Sequence, residues 1–244
     1  ASEMTGDRAQ CPSCHEIVVI PASEIEPGTV LGGFRLERHL GGGGMGQVYE
    51  ATQLAMNRRV ALKVLSPNIA SSPTRLKRFV HEVELAAKLE HPNVVTALYA
   101  GSGNGYYYLA MSFVDGISLD RRLEKEGPFK EREVLEIGMC VCHALHYAWS
   151  KFDMLHRDIK PANIMISADN IVKVLDLGIA KTVDEDSNLT REGALVGTPY
   201  YMSPEQALAN IEIDCRADIY SLGASMYHLT TGVYPFDGPN AMSV

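Results

Sequence analysis

The sequence predicts an α+β protein with two unlike lobes, a small antiparallel sheet with one helix followed by a mainly helical part. In the first half, apolar residues at Phe34, Leu36 and Leu40 alternate with charged ones, which is typical of a half-exposed strand. In the second half, apolar residues recur at helical spacing over 134–148 and again over 219–229. The 244 residues are 46% hydrophobic and 21% charged, a balance typical of soluble globular proteins.

Residues 1–29 are expected to form an irregular extension, because prolines interrupt them repeatedly. The sheet lobe should span 30–111. Its predicted strands cover 34–40, 47–51, 60–64, 94–100 and 106–111, and its helix begins near Ser72, a residue type that caps helices. Side chains alternate along a strand, so Lys63 should face away from Leu62.

The second lobe should cover 112–244 and contain the two helices marked by the apolar periodicity. Between them lies an irregular stretch of roughly 178–205, and a loop of that length inside a compact domain is usually functional. The sequence has no apolar run long enough to cross a membrane and no secretory signal. We therefore expect a cytoplasmic location, which would also suit the cytoplasmic part of a membrane-anchored protein.

The formal net charge of −8 is unevenly distributed. Residues 1–110 carry ten basic and ten acidic side chains, whereas residues 111–244 carry twelve basic and twenty acidic ones. This excess disfavours nucleic acid as a partner and favours basic peptides, although solubility alone is an equal explanation.

Five cysteines do not indicate a disulfide framework. Cys140, Cys142 and Cys215 lie in apolar helical segments and are expected to be reduced core thiols. Cys11 and Cys14 form a separate C-P-x-C knuckle that is similar to half of a zinc ribbon. A structural Zn²⁺ site usually needs two such pairs, so a disordered tail is the favoured alternative, and a site shared by two chains is the other.

The most informative run is His156–Asn163, which reads HRDIKPAN. Thirteen residues after Asn163, Asp176 begins the run DLG behind a strand-like segment. A phosphoryl-transfer enzyme needs a carboxylate for the attacking hydroxyl, metal ligands, and positive charge near the transferred group. All three are present within this short stretch.

A second motif fits G-x-G-x-x-G-x-V and runs from Leu40 to Val48. Glycines let backbone amides approach nucleotide phosphates without a Cβ clash. Alone, such a run is often only a tight turn between strands. The strand Val60–Lys63 that follows, reading VALK, makes phosphate binding the more specific interpretation.

Together with the run GTPYYMSPE at 197–205, these motifs resemble eukaryotic-type protein kinases, most closely the bacterial serine/threonine kinases. The resemblance extends from about Val30 to Gly238 and implies the two-lobed protein kinase fold. The chain stops where the family continues with several more helices, so we expect the last helices to be missing. Glu205 would then lack its usual arginine partner, and the uncovered surface would favour self-association or a homodimer.

The resemblance implies that ATP binds along the first lobe and the segment that joins the lobes. The implied contacts are Leu40, Gly41, Gly43, Gly46, Val48, Ala61, Lys63, Met111, Ser112 and Val114. Lys63 would bind the α- and β-phosphates, and Glu82 would hold Lys63 in place, unless Glu82 is only a solvated helix charge. Met111 would be the gatekeeper, and the backbone of Ser112 and Val114 would bind the adenine edge.

The resemblance also assigns roles within the catalytic run. Asp158 would be the base or orienter of the substrate hydroxyl, and Lys160 would neutralise the γ-phosphate. Asn163 and Asp176 would bind Mg²⁺ or Mn²⁺. His156 is expected to be structural, and Asp218 is expected to brace the backbone of this loop from a helix.

Arg157 precedes the catalytic aspartate, and in kinases of this type it binds a phosphate on the activation segment. The candidate phosphorylation sites are Thr190 first, then Ser187 and Thr182. Thr198 is expected to contact Asp158 and to help dock the substrate.

The implied function is a serine/threonine protein kinase in bacterial signalling, with protein substrates and ATP as partners. Two alternatives stay open. A pseudokinase scaffold is disfavoured because the residues with implied catalytic roles are all present. A small-molecule kinase of similar fold is disfavoured by the peptide-docking segment at 198–205.

Overall fold

The computed structural model describes residues 8–10, 17–19, 25–43, 46–65, 77, 80, 83–177, 199–208, 213–236 and 238. The chain divides into two compact units. The first contains 1–80 and 97–113, and the second contains 81–96 and 114–244. The sites expected at Cys11, Cys14, Glu82, Thr182, Ser187, Thr190 and Thr198 lie outside the described residues.

The first unit contains a six-stranded antiparallel sheet with the order β3-β4-β5-β6-β8-β7. Its strands are β3 (Val30–Leu31), β4 (Phe34–Gly43), β5 (Gly46–Gln53), β6 (Arg58–Leu65), β7 (Ala97–Gly103) and β8 (Tyr106–Ser112). The strands β1 (Arg8–Gln10) and β2 (Ile17–Val19) pair as a separate hairpin. The expectation of a wholly irregular extension over 1–29 is therefore wrong for these two segments.

One face of this sheet forms the core of the first unit. Tyr49 pairs with Leu62, and Leu62 pairs with Ala110, so these three side chains share a face across three strands. All three are buried in one apolar cluster together with Tyr108. Successive side chains of a strand point to opposite faces, so every second residue is buried in the core and the residues between them lie on the other face of the sheet.

The second unit is mainly helical. Its elements are β9 (Gly116–Ser118), α1 (Leu119–Glu126), α2 (Glu131–Phe152), β10 (Ile164–Ser167), β11 (Val172–Val174), α3 (Pro204–Ala207) and α4 (Cys215–Thr231). The short strands form an antiparallel sheet with the order β11-β10-β9. Residues 83–86 add a further turn of helix. Buried residues of α2, α4 and this sheet, including Val141, Ile164, Val174 and Leu222, form one apolar core.

Local chemistry fixes the ends of the long helices. Helix α2 ends at Asp153, whose N–H donates to the Trp149 carbonyl at 2.9 Å; its left-handed φ of 50° turns the chain so that the next N–H, of Met154, donates to the Ala148 carbonyl at 3.3 Å. Helix α4 begins after Asp214, whose carboxylate accepts the Arg216 N–H at 2.9 Å. It ends at Gly232 with φ 77°, a conformation that favours glycine.

Three details differ from the sequence expectations. Helix α1 and strand β9 were not predicted, because they are short and follow the hinge-like segment without a clear period. Cys142 is exposed and is therefore not a core thiol, whereas Cys140 and Cys215 are half-buried. Ile219 was placed on the apolar face of α4, yet it is 60% exposed. None of the described helices is long and apolar enough to cross a membrane.

Candidate active site

The loop between α2 and β10 carries the predicted catalytic residues Asp158 and Lys160, and a carboxylate from α4 holds its backbone. Asp218 Oδ2 accepts the His156 N–H at 2.8 Å, and Asp218 Oδ1 accepts the Arg157 N–H at 2.7 Å. Asp218 is only 3% exposed, so its charge depends on such donors for stabilisation. The expected bracing role of Asp218 is confirmed.

Arg157 has a φ of +63°, a left-handed conformation that is uncommon for a residue with a Cβ. Hydrogen bonds on both sides of this residue offset the strain. Its N–H donates to Asp218, and its carbonyl accepts the Gln206 Nε2–H at 2.9 Å. The catalytic loop is therefore fastened to α3 as well as to α4.

Gln206 is a site residue that the sequence reasoning missed. It forms a reciprocal capping box at the start of α3, where Ser203 Oγ accepts the Gln206 N–H and Gln206 Oε1 accepts the Ser203 N–H. Ser203 is completely buried, so it is the cap of this helix as well as a small residue. The spacing S-x-x-Q predicts the box, but it does not predict that the Gln206 amide also reaches the catalytic loop.

His156 connects the loop to the end of β11. Its Nδ1 accepts the Asp158 N–H at 3.2 Å, so the ring proton resides on Nε2, which donates to the Leu175 carbonyl at 2.8 Å. Both ring nitrogens are thus used within the protein, and the ring is 1% exposed. The expectation that His156 is structural is confirmed.

Asp158 lies in a small polar network with Lys160 and Asn163. The Lys160 Nζ is 2.9 Å from Asp158 Oδ2, and the Asn163 Nδ2 donates to the same oxygen at 2.9 Å. The Asn163 Nδ2 also donates to the Asp158 carbonyl at 2.8 Å. Among the described residues both side-chain contacts go to Oδ2, which leaves Oδ1 to accept a hydrogen bond from a substrate hydroxyl.

Asn163 and Asp176 are brought together by the backbone. The turn Pro161–Asn163 is a single 3-10 turn, and the Leu175 N–H donates to the Asn163 carbonyl at 2.9 Å. Asp176 follows with a left-handed φ of +50°, which turns the chain directly after β11. The two predicted metal ligands therefore lie at adjacent points of two neighbouring segments.

The donor set of this pair suits Mg²⁺. The Asn163 amide nitrogen is committed to Asp158, so its oxygen is the atom of this side chain that could bind a cation, and Asp176 would add a carboxylate. Mg²⁺ is usually held by one or two protein oxygens together with water and phosphate oxygens. The described residues contain no group of three or more His, Cys, Asp and Glu side chains that could hold a metal by themselves. A cation here would therefore complete its shell with water and phosphate oxygens.

In the first unit, the sheet register places four of the predicted ATP contacts on the face opposite to the core. Val48 pairs with Lys63, and Ala61 pairs with Met111. Ala61 and Lys63 are two residues apart on β6, so all four side chains share this face. Lys63 is 5% exposed and Met111 is also buried, whereas Val48 and Ala61 are half-buried.

The glycine-rich motif forms the β4–β5 hairpin. Gly41 and Gly46 have φ values of +153° and +150°, which side chains with a Cβ rarely adopt. A Cβ on Gly46 would also lie 2.0 Å from the Val64 carbonyl oxygen. Glycine is therefore required at Gly46 for strand packing, whether or not a phosphate binds nearby.

The other predicted ATP contacts lie on β4, at the end of β8 and just after β8. Leu40 and Gly43 lie on β4, and Ser112 is the last residue of β8. Val114 is the first residue of the second unit after the chain leaves the first.

Across the described residues, the site thus combines a carboxylate held by Lys160 and Asn163 with two predicted metal ligands, Asn163 and Asp176, on neighbouring segments. The family described as the protein kinase domain matches residues 34–244. The chain therefore belongs to the protein kinase domain family, which confirms the resemblance and the α+β fold class.

Two curated relatives and a solved structure show what the chain is similar to. It is 40% identical over 209 residues to the serine/threonine-protein kinase PknB of Mycobacterium leprae, covering 84% of this chain and 33% of that protein. It is 40% identical over 217 residues to the serine/threonine-protein kinase pkn3 of Myxococcus xanthus, covering 86% of this chain and 39% of that protein. The chain thus spans about a third of the length of these relatives.

The crystal structure of the Mycobacterium tuberculosis PknI kinase domain matches with a TM-score of 0.71 at 32% identity. The match covers 89% of this chain and 81% of the other.

Proposed function

We propose that the chain transfers the γ-phosphoryl group of ATP to serine or threonine hydroxyls of protein substrates. The observation that carries this proposal is the network on the catalytic loop, in which Lys160 and Asn163 both contact Asp158 Oδ2. A kinase must orient a neutral hydroxyl and stabilise the charge on the transferred group, and it needs little covalent chemistry of its own. The braced loop supplies the groups for both tasks.

In this proposal Asp158 accepts the hydrogen bond of the attacking hydroxyl and holds its oxygen in line with the phosphorus. Lys160 stays close to that carboxylate and brings its positive charge to the transferred phosphoryl group. Asn163 and Asp176 would hold Mg²⁺ or Mn²⁺, which supplies charge neutralisation on the phosphates when bound.

The nucleotide would bind to the residues that the resemblance implies. Lys63 would contact the α- and β-phosphates with Glu82 as its partner, and the hairpin glycines would approach the phosphates through their backbone. The full set is Leu40, Gly41, Gly43, Gly46, Val48, Ala61, Lys63, Met111, Ser112 and Val114. The shared sheet face of Val48, Ala61, Lys63 and Met111 supports this assignment.

The choice of serine and threonine over tyrosine rests on Lys160 and on the names of the relatives, which are serine/threonine-protein kinases. The direct test is phosphoamino acid analysis of a generic basic protein after incubation with labelled ATP and Mg²⁺. The proposal expects phosphoserine and phosphothreonine. Phosphotyrosine would contradict the choice of acceptor, and label found only on small metabolites would favour the small-molecule kinase. Absence of any transfer would favour the pseudokinase.

Regulation by autophosphorylation is part of the proposal. A phosphate on Thr190, Ser187 or Thr182 would bind the Arg157 guanidinium through charge-assisted hydrogen bonds. Mass spectrometry after incubation with ATP tests this, and phosphate found only outside 182–198 would exclude it.

The proposal also includes a cytoplasmic location and self-association of the chain. ATP is the phosphoryl donor, so we place the reaction in the cytoplasm. Self-association is suggested by exposed apolar side chains around α4, among them Ile219, Val233 and Phe236. A sedimentation series over protein concentration tests it, with Ile219→Ser as the variant expected to shift the chain toward monomer.

A further inference from the structure

The sheet face opposite to the core of the first unit, which carries four of the predicted ATP contacts, also carries a row of charged residues. Glu50 pairs with Ala61 across β5 and β6, and Ala61 pairs with Met111 across β6 and β8, so Glu50 lies on this face. Arg59 precedes Ala61 by two residues on β6 and therefore points to the same side. Arg38 pairs with Glu50 from β4. An acid thus lies between two arginines, beside residues that are predicted to contact ATP.

The carboxylate of Glu50 holds both guanidinium groups. Arg38 Nε donates to Glu50 Oε2 at 2.6 Å, and Arg59 Nη1 lies 3.7 Å from Glu50 Oε1. The side chain of Glu50 is 12% exposed, whereas that of Arg59 is 56% exposed. The more shielded partner therefore directs the long, solvent-exposed side chain of Arg59 along the sheet face.

In this position the guanidinium of Arg59 lies over the ring of Phe113. The Arg59 Cζ is 4.7 Å from the ring centroid, within the range of about 6 Å over which an aromatic face attracts a cation. The described pairing of β6 with β8 ends at Val60 and Ser112, so Phe113 is the first residue beyond the strand ladder. The contact with Arg59 therefore acts at the point where strand pairing stops.

We propose that Arg59 is a positioning residue for nucleotide binding, because it holds the ring of Phe113 and thereby orients the backbone of Ser112 and Val114 on either side. The inference rests on the proposed function, which assigns the adenine edge to the backbone of these two residues. A segment that is already ordered loses less conformational freedom when a ligand binds, so the contact should increase the affinity for adenine ligands. Adenine is bound equally in the ground state and the transition state, so the effect should appear in KM for ATP and not in kcat.

The first test compares Arg59→Gln with Arg58→Gln, two substitutions that remove the same charge from adjacent residues. Arg58 is on the opposite face of β6 and donates to Gln53 Oε1 at 2.7 Å. Arg59→Gln should raise KM for ATP about threefold to fivefold, as expected for one cation–π contact of an exposed arginine. Arg58→Gln should keep the KM of the parent. Both variants should keep the kcat and the melting temperature of the parent, because exposed ion pairs contribute little to stability.

The second test asks whether Arg59 acts through the ring of Phe113. Phe113→Leu removes the ring but keeps an apolar side chain, and it should raise KM for ATP as much as Arg59→Gln does. The double variant should be no worse than either single variant, because both remove the same contact. Phe113→Tyr keeps the aromatic face and should keep the KM of the parent.

Calorimetric titration with ADP and with tripolyphosphate measures the same effect without turnover. Tripolyphosphate has no adenine, so its dissociation constant should be equal in the parent and in Arg59→Gln. The dissociation constant of ADP should rise about threefold to fivefold in Arg59→Gln. An equal rise for both ligands would mean that Arg59 acts through its charge alone, and it would overturn the positioning role.

The outcomes separate this inference from the proposed function. ADP affinity that depends on Arg59 in a chain without phosphate transfer would contradict the kinase function and support the positioning role. Phosphate transfer by Arg59→Gln with the parent KM for ATP would support the kinase function and reject the positioning role. Additive effects of Arg59→Gln and Phe113→Leu would show that the two residues act separately, and a parent chain that binds no ADP would contradict both proposals.

Discussion

The catalytic loop of the second unit and the glycine-rich hairpin of the first both contain residues with positive φ, but they are held in different ways. The loop contains two non-glycine residues with left-handed backbone, Asp153 and Arg157. Side chains and carbonyls from other segments fasten the loop around Arg157, among them Asp218 and Gln206. The hairpin has its unusual φ values at Gly41 and Gly46, and its described residues are positioned by strand pairing and by contacts between its own two strands, such as that of His39 Nε2 with Gln47 Oε1 at 2.6 Å.

The two segments are held differently because one offers side chains to a ligand and the other offers backbone groups. A catalytic loop presents side chains, so it cannot use glycine at every strained position and needs hydrogen bonds to offset the strain. A phosphate-binding hairpin presents backbone, so glycine removes both the strain and the steric barrier. The loop should therefore be sensitive to the loss of distant hydrogen-bond partners, and the hairpin to the addition of a Cβ.

The largest effect is expected from Asp218→Ala. This substitution leaves the buried N–H groups of His156 and Arg157 without an acceptor, which should lower the free energy of unfolding by about 3 kcal/mol. Urea unfolding followed by circular dichroism measures the loss. Asp218→Asn is the graded comparison, because its single oxygen can keep one of the two bonds and should cost less. Equal stability of the alanine variant and the parent would show that the brace does not hold the loop.

Gly46→Ala should cause the second largest loss of stability. The added Cβ meets the Val64 carbonyl at a distance no packed atom tolerates, and φ is +150° as well. We expect a loss of about 2 kcal/mol in unfolding free energy, from backbone strain together with the clash. Gly33→Ala is the control, because its φ is +88° but a Cβ there meets no atom within 4 Å. The control should cost about 1 kcal/mol, and equal costs would mean that close packing at Gly46 is unimportant.

Gln206→Glu separates the two tasks of this side chain. The carboxylate can still accept the Ser203 N–H and keep the capping box, but it cannot donate to the Arg157 carbonyl. A neutral hydrogen bond contributes about 1 kcal/mol, so phosphate transfer should fall about fivefold if the bond positions the loop. Steady-state kinetics should show the loss in kcat, with melting temperature nearly unchanged. A loss of melting temperature in parallel with activity would indicate a structural role only.

The smallest effect concerns pH. Burial lowers the pKa of both His91 and His228, so below pH 7 the unfolded chain binds protons that the folded chain does not. The unfolding free energy should therefore fall as pH falls through the ordinary histidine pKa near 6.5, between pH 7 and 5. Denaturant titrations at several pH values measure the slope, and replacing both histidines by glutamine should flatten it. Hydrogen bonds from Thr52 and Arg35 lower the pKa of Glu37, and hydrogen bonds from Arg216 lower the pKa of Asp214. The stability that these two carboxylates contribute to the folded chain is therefore lost only at lower pH.

The sequence predicts the residues of the catalytic loop because their order and spacing are themselves the signal. Asp158, Asn163 and Asp176 could be named without a structure, and strand alternation was enough to place Lys63 opposite to Leu62. Gln206 could not be found in this way. It sits in an ordinary helical context, and its importance comes from a neighbour distant in sequence, the Arg157 carbonyl.

The most direct test of the account is the rate of phosphate transfer by Asp158→Asn. Asparagine keeps the size of the side chain and an oxygen near Lys160, but it removes the carboxylate that would accept the hydroxyl hydrogen bond. Transfer from ATP to a basic protein should fall by about 10²–10⁴-fold, with nucleotide binding retained in a thermal shift assay. Asp169→Asn, which removes the same charge from an exposed turn, should keep the parent rate. A near-normal rate for Asp158→Asn would contradict the assignment of the catalytic loop.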